Sequence, residues 1–322
     1  MKRVLITGGK GQDGTLLTQL LKQQDIEVFS FGRPVTNVAL GSDSCASLES
    51  PLEFNVDLSN FEDCLNSIAT INPDTIFHLA AVHGPSHIMG SATWAENRES
   101  TYKTHVTITR NLIEAVVATN AKAQIIVAGS SRMYTPLDST LVINESTATN
   151  PLDYYGKTKA EAWNILITER ERTGLSLKMV ILFNHESKLR KEGFLFRDLA
   201  KQIAKFELGK QNFIEVRDEK IEGDWHSALD TVEGLQLLAN QDYTRDLVLA
   251  SGKLISVGDI INDYFEVYLP KYRPVIVSKN PRSHSEKSLS VVGDIALAET
   301  LGWKPTRTLS SVLREMVMME SQ

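Results

Sequence analysis

Cysteine is scarce, with only Cys45 and Cys64 in 322 residues. Their separation has no metal-ligand spacing, so a cysteine-based metal centre is not expected, and a disulfide between them is open on sequence alone. A cytoplasmic chain with unpaired thiols is the expectation. An excess of positive charge is also missing: 34 Lys and Arg stand against 40 Asp and Glu, a net of −6. That balance offers no broad basic field and argues against a nucleic-acid partner, so any bound anion must be held by a local site. No long hydrophobic run occurs. Behind Met1-Lys2-Arg3 the apolar stretch Val4-Leu5-Ile6 is too short for a signal peptide or a membrane span, and no membrane partner is expected. Internal repeats, coiled-coil heptads and low-complexity segments are lacking as well. What remains, at 42% hydrophobic and 23% charged residues, is an ordinary globular composition able to bury a large core.

Val4-Leu5-Ile6 reads as a strand that runs straight into Thr7-Gly8-Gly9-Lys10-Gly11-Gln12-Asp13-Gly14 and then into the helical spacing of Leu16, Leu17, Leu20 and Leu21. Glycines at 8, 11 and 14 allow a tight turn and let a pyrophosphate approach the backbone, where a helix N-terminus meets its charge. Ile26 to Phe31 reads as the second strand. It ends in Phe31-Gly32-Arg33, with no carboxylate to grip the ribose hydroxyls of NAD. Arg33, helped by Lys10, suits the 2′-phosphate of NADP instead.

Residues 34 to 51 read as an irregular loop, Leu52 to Val56 as a third strand ending at Asp57-Leu58, and Phe61 to Ile71 as a helix. Thr75 to Leu79 is a fourth strand opening into Ala80-Ala81, small residues against which a cofactor can lie. His78, His83 and His87 alternate between strand and loop with no carboxylate partner, and no metal site is assigned to them. A long helix is expected from about Ala95 to Thr119 and a fifth strand from Gln124 to Ala128. At that strand's carboxyl end stand Ser130, Ser131 and Arg132, where a sugar hydroxyl or carbonyl would be met. A further helix runs from after Pro151 to about Thr173, and Leu177 to Phe183 is the sixth strand. The alternation argues an α/β fold with a doubly wound parallel sheet.

The helix after Pro151 carries Tyr155 and Lys159. Four residues apart on a helix, phenol and ammonium emerge on one face, so the cation is placed to lower the phenol pKa and the phenol to exchange a proton with an alcohol. After Phe183 the polar run Asn184 to Gly193, with Glu186, Lys188 and Arg190, suits a nucleotide or phosphate. The last third mixes short strands (213–216, 247–249, 274–277) with helices near 195–208, 226–239, 257–269 and 309–319. The expected division is an NADP-binding domain of 1–183 with 212–252 and a smaller substrate lobe of 184–211 with 253–322.

With the glycine turn, the Ser stretch and the Tyr155/Lys159 pair in this order, the chain resembles the extended short-chain dehydrogenases that modify nucleotide sugars. Within them it is most similar to the GDP-mannose 4,6-dehydratase branch, through residues 7–14, 155–159, Ile181 to Ser187 and Gly223 to Ala228. The resemblance implies a nucleotide-sugar substrate and NADP, with Tyr155 as acid/base, Lys159 on the ribose and Ser130 as the hydroxyl that supports proton transfer. The cofactor set becomes Gly8, Lys10, Gly11, Gln12, Asp13, Gly14, Arg33, Asp57, Leu58, Leu79, Ala80 and Ala81. The substrate set is Ser131, Arg132, Asn184, Glu186, Lys188, Arg190, Arg217 and Arg282. A homodimer or homotetramer is implied too, packed through the helices at 95–119 and 153–173.

Two departures matter. The branch places a Glu two residues after the Ser/Thr, where elimination of water needs a base; here Arg132 stands, and a guanidinium cannot act as that base. Glu145 or Glu186 is an alternative carboxylate. Gly223 replaces an Arg that binds the nucleotide diphosphate, with Arg217, Arg282 or His284 as possible substitutes. Three readings follow: C4 oxidation, 4-keto reduction or epimerisation of a nucleotide sugar; 4,6-dehydration with a relocated base; or a non-catalytic NADP-binding sensor or assembly subunit.

Overall fold

Val4, Leu5 and Ile6 alternate between the two faces of their strand, and each face finds its own hydrophobic cluster. The computed structural model describes residues 1–32, 52–82, 97–281 and 289–321. Seven strands form one sheet: β1 (Arg3–Thr7), β2 (Glu27–Gly32), β3 (Leu52–Asn55), β4 (Thr75–His78), β5 (Gln124–Ala128), β6 (Leu177–Leu182) and β7 (Leu247–Leu249). Every neighbouring pair is parallel, in the order β7-β6-β5-β4-β1-β2-β3. All six residues of β6 are buried, as a strand covered on both faces requires. The order reverses between β1 and β4, which opens a crevice at the strands' carboxyl ends.

Helix α1 (Gln12–Lys22) lies on one face, and α2 (Phe61–Ile71) on the other. Helix α3 follows as three joined pieces: Arg98–Tyr102, a π-helical turn Lys103–Thr107, and Ile108–Ala118. The expected 95–119 helix is thus interrupted by the π turn, and its first residues lie outside the described ones. Helix α4 (Tyr154–Thr173) is fixed at both ends: the Asp153 carboxylate accepts the Gly156 N–H at 2.8 Å, and Gly174 closes it in the left-handed region at φ 68°. Leu112, Val116 and Leu166 of α3 and α4 fill the cluster under Leu5 and Ile76. Truncating one such fully buried leucine to alanine costs about 2–5 kcal/mol.

Beyond the sheet come α5 (Leu195–Glu207), α6 (Ala228–Asn240), α7 (Val257–Tyr268), α8 (Ala296–Thr300) and α9 (Leu309–Glu320). Leu235 and Leu238 of α6 join Leu17 and Leu21 of α1 over the Val4/Ile6 face. A third hydrophobic cluster is formed by Phe196, Ile203, Ile260, Tyr264, Leu313 and Met316. Ile214, Val216 and Trp225 pack into that cluster too. The polar run after Phe183 opens as a strand, Asn184–Glu186, paired in parallel with Trp225–Ser227, so the helix expected from about 226 begins at Ala228 instead. Cys64 is a free thiol, fully buried and pushed up to about 12 by burial, which makes it inert, while Cys45 lies outside the described residues. Among the described residues no helix is long and apolar enough to cross a membrane.

Candidate active site

The turn between β1 and α1 is as tight as its sequence implies. Gly8 sits at φ 77°, and a Cβ on it would meet the Ala80 backbone nitrogen at 2.7 Å; one on Gly14 would meet the Gly8 carbonyl oxygen at 2.4 Å. Helix α1 therefore begins directly against the turn, with Gly11 at its N-cap and no side chain capping it. Such an end presents backbone N–H groups to an anion. A cleft of about 1190 Å³ opens over it.

Into that cleft come Gly8, Lys10, Gly11, Gln12, Asp13, Gly14, Asp57, Leu58, Leu79, Ala80 and Ala81, with Ser130, Ser131, Arg132, Tyr155, Lys159, Asn184 and Arg190. Asp57 accepts the Ser59 N–H at 3.0 Å and its hydroxyl at 2.6 Å. Glu186 does not line the cleft; it is buried and paired with Arg190 at 2.8 Å. Lys188 and Arg217 are exposed outside the cleft, and Arg33, Arg282, His83, His87, His284 lie outside the described residues. His78 is packed, not cleft-facing: its ring nitrogens lie 2.6 Å from the Thr7 hydroxyl and 3.0 Å from the Thr104 carbonyl oxygen.

Tyr155 projects from the first turn of α4 and is almost fully buried, hydrogen-bonded to Ser130. The ring of His105, set in the π turn of α3, meets the phenol ring edge-on at 5.0 Å, and its Nδ1 lies 2.8 Å from the Thr158 hydroxyl. Burial pushes the phenol up to about 12, against opposing pulls from the Arg132 guanidinium and the Ser130 hydrogen bond. Arg132 is thus a cation that eases phenol ionisation, and the Lys159 ammonium lies 5.9 Å from the centre of the same ring. Lys159 is itself buried, its ammonium donating to the Ala128 carbonyl oxygen at 2.7 Å, and burial lowers it to about 7.

Arg132 is held by Asp153, its Nη2 at 2.5 Å and Nε at 3.1 Å from the same carboxylate oxygen. Asp153 is also the N-cap of α4, so one residue orients the guanidinium and starts the helix that carries the phenol. Gly156 is required at that junction: a Cβ there would lie 2.2 Å from the Arg132 carbonyl oxygen. Ser130 closes the ring of contacts by accepting the Arg132 backbone N–H at 3.2 Å.

A second constellation escaped the sequence. His185 Nε2 lies 3.0 and 3.1 Å from the two carboxylate oxygens of Asp13, the Gln12 amide donates to the His185 carbonyl at 3.1 Å, and the Ser187 hydroxyl donates to Gln12 at 2.8 Å. Burial would raise the Asp13 carboxyl, yet His185, Arg190 and Gln12 together hold it down to about 2. Both partners stood in motifs already singled out, but nothing in either motif signals a contact across 172 positions.

A model of the GDP-mannose 4,6-dehydratase family matches residues 5–316. The chain belongs to that family. Similar curated members are GDP-mannose 4,6 dehydratase 2 of Caenorhabditis elegans, 29% identical over 351 residues and covering 98% of this chain and 88% of the relative, and GDP-mannose 4,6-dehydratase of Yersinia enterocolitica, 28% identical over 360 residues and covering 100% and 94%. Among solved structures, RMD from Pseudomonas aeruginosa complexed with NADPH matches with a TM-score of 0.78 at 20% identity, covering 100% of this chain and 99% of that one. UDP-glucose 4-epimerase from Brucella ovis in complex with NAD matches with a TM-score of 0.78 at 18% identity, covering 100% and 99%. Those two likenesses show the shared fold. GDP-mannose 4,6-dehydratase family members are NADP-using enzymes of nucleotide sugars.

Proposed function

We propose that this chain catalyses NADP-dependent hydride transfer at C4 of a nucleotide-linked hexose, GDP being the favoured carrier, and that the outcome is oxidation, 4-keto reduction or epimerisation. The observation that carries the reading is the Arg132–Asp153 ion pair beside Tyr155 and Ser130. A base for removing water would have to be a carboxylate at that end of the cleft. The cleft-lining carboxylates among the described residues are all engaged: Asp13 with His185, Asp57 with Ser59, Glu99 with Lys103. Glu145 is turned away, accepting the Val248 N–H at 2.8 Å, and Glu186 is paired with Arg190.

NADP would accept and return the hydride. The fit is supported by the glycine turn, whose backbone approaches leave no room for side chains, and by the small residues Ala80 and Ala81 across from it. Tyr155 takes the C4 hydroxyl proton as the carbonyl forms and gives it back on reduction, with Ser130 holding the same oxygen. Arg132, fixed by Asp153, favours the ionised phenol and orients the sugar. Lys159 binds the ribose once the cleft is filled. For the diphosphate, Lys191 is a cationic cleft residue, and Arg190 lines the cleft beside it with its Nε committed to Glu186. Position 223 is not available to a longer side chain, since a Cβ there would lie 2.7 Å from the Trp225 indole. Exposed Tyr102, Val117 and Ile167 on α3 and α4 support a homodimer or tetramer through those helices, which light scattering tests directly.

Incubation with NADP and a panel of GDP- and UDP-linked hexoses, read by nicotinamide absorbance and product mass, tests the chemistry. Net or transient cofactor reduction with the mass of water retained is expected. A product lighter by one water overturns the reading in favour of 4,6-dehydration with a relocated base, which the names of the curated relatives support. Absence of any cofactor reduction across the panel favours the non-catalytic alternative.

A further inference from the structure

Asp13 is the acidic residue in the first turn of α1, at the helix end that faces the cleft. A carboxylate at that position is drawn to the same N–H groups and the same positive end of the helix dipole as a pyrophosphate, and it repels the pyrophosphate besides. The glycine turn and its Asp are therefore at odds unless the charge of Asp13 is cancelled nearby.

His185 is built to cancel it. Its Nδ1 lies 2.6 Å from the Phe183 carbonyl oxygen, and its Nε2 lies 3.0 and 3.1 Å from the Asp13 oxygens. Both ring nitrogens face atoms that only accept, so the ring satisfies both only as the imidazolium. The other ionisable groups around it contribute less: Arg190 also helps to hold Asp13 ionised, but as a shared charge. Arg190 donates its Nε to Glu186 at 2.8 Å and a second N–H to the His185 carbonyl oxygen, so its charge is shared with Glu186. His226, from the strand alongside, lies 5.8 Å away ring to ring, bonds the Thr231 hydroxyl, and burial keeps it neutral down to about 3. Burial opposes a charge on His185 as well, yet Asp13 raises it above the ordinary imidazole value.

We propose that His185 is the counter-charge that makes Asp13 compatible with a dinucleotide at the head of α1, so that occupancy of the cofactor site depends on whether His185 is charged. This rests on the NADP reading above. The sign follows from the geometry. Below the pH at which His185 loses its second proton, the pair is neutral overall and the helix end accepts a pyrophosphate. Above it, the ring keeps one proton for two acceptors, Asp13 retains only the Arg190 charge that Glu186 shares, and the dinucleotide is repelled. His185 acts through Asp13, as a positioning residue.

NADPH and NADH binding, followed by cofactor fluorescence from mildly acidic to mildly alkaline pH at low salt, tests this in the full-length protein. In the wild type, affinity for both is expected to fall about tenfold across the His185 titration, a magnitude suited to one poorly compensated charge near a partly screened site. The step should appear with both cofactors, since the pyrophosphate and not the 2′-phosphate is what Asp13 repels. His185→Gln should bind weakly at every pH. Asp13→Asn, and the double variant, should bind at least as tightly as the wild type at low pH and lack the step. Imidazole NMR supplies a readout free of cofactor: the His185 midpoint should fall in Asp13→Asn. An unchanged pH step in Asp13→Asn, or an unmoved His185 midpoint, overturns the proposal, and either stands even if His185→Gln fails to fold. A wild type that binds neither cofactor at any pH overturns the dinucleotide reading itself, and this proposal with it.

Discussion

Lys159 and Lys178 are both buried to the same degree, and they lie at opposite ends of one sheet. Lys178, near the start of β6, donates to the Gln124 side-chain oxygen at 2.9 Å and the Leu238 carbonyl at 3.0 Å. Its acceptor is held in turn, the Gln124 amide donating to the Thr75 hydroxyl at 3.0 Å and the Ala239 carbonyl at 2.7 Å. Lys159, on α4, donates to one carbonyl and otherwise borders the cleft, with the Tyr155 ring 5.9 Å from its ammonium. Burial lowers both amines, Lys178 to about 8 and Lys159 to about 7. The difference is completeness. At the amino ends of the strands the protein satisfies its own buried charge, and at the carboxyl ends it leaves donors for something else to use.

The strongest test of that contrast is Tyr155→Phe, which removes the proton carrier and leaves the packing. Hydride transfer should fall by about 10²–10⁴-fold with the melting temperature unmoved; near-normal turnover of an accepted nucleotide sugar would end the catalytic account of the open end.

Next in size is a crossed pair. Lys178→Met strands the Gln124 and Leu238 oxygens and should cost about 1–3 kcal/mol in urea unfolding. Lys159→Met removes a poorly partnered buried ammonium and should leave stability level or slightly higher while abolishing turnover. Equal losses from both would dissolve the distinction.

A smaller effect separates them by pH. In the folded state Lys159 is neutral above about 7, whereas the unfolded chain holds that proton to near 10.5. The unfolded state thus binds more protons across that window, and stability should rise with pH by at most about 1.4 kcal/mol per unit from this group. Denaturation midpoints of Lys159→Met between neutral pH and mildly alkaline pH should show a flatter rise than the wild type's.

Smallest is the part played by Arg132. Arg132→Gln should move the Tyr155-dependent limb of the pH–rate profile upward by less than about one unit, because the guanidinium only opposes a shift that burial dominates. No movement would return the role of phenol cation to Lys159.

Much of this architecture was readable from local patterns. The β1 turn, the start of α4 and the Ser stretch after β5 depend on spacings within ten residues and on glycines whose neighbours leave no room for a Cβ. Strands of three residues, such as Asn184–Glu186 and Trp225–Ser227, are too short to display a period of two, so the ladder between them read as a polar run and as the start of the helix near 226–239. Lys188 and Arg217 were placed on a ligand because charge runs look alike whether they face a cleft or water. The Arg132–Asp153 clamp could not be foreseen, since which carboxylate a guanidinium meets is decided by how α4 lands on the turn before it. His105 was hidden for a different reason: the extra residue of a π turn hardly disturbs the apolar spacing from which a helix is read.

That π turn also constrains how the chain can vary. Deleting one residue between Lys103 and Thr107 would restore a regular α-helical thread and keep the phase of both flanks, because a π turn takes up its one extra residue locally. Leu112 and Val116 would then stay in the core, and the change would fall on His105 and its edge-on contact with the Tyr155 ring. Length here can therefore vary only by rebuilding the wall behind the phenol.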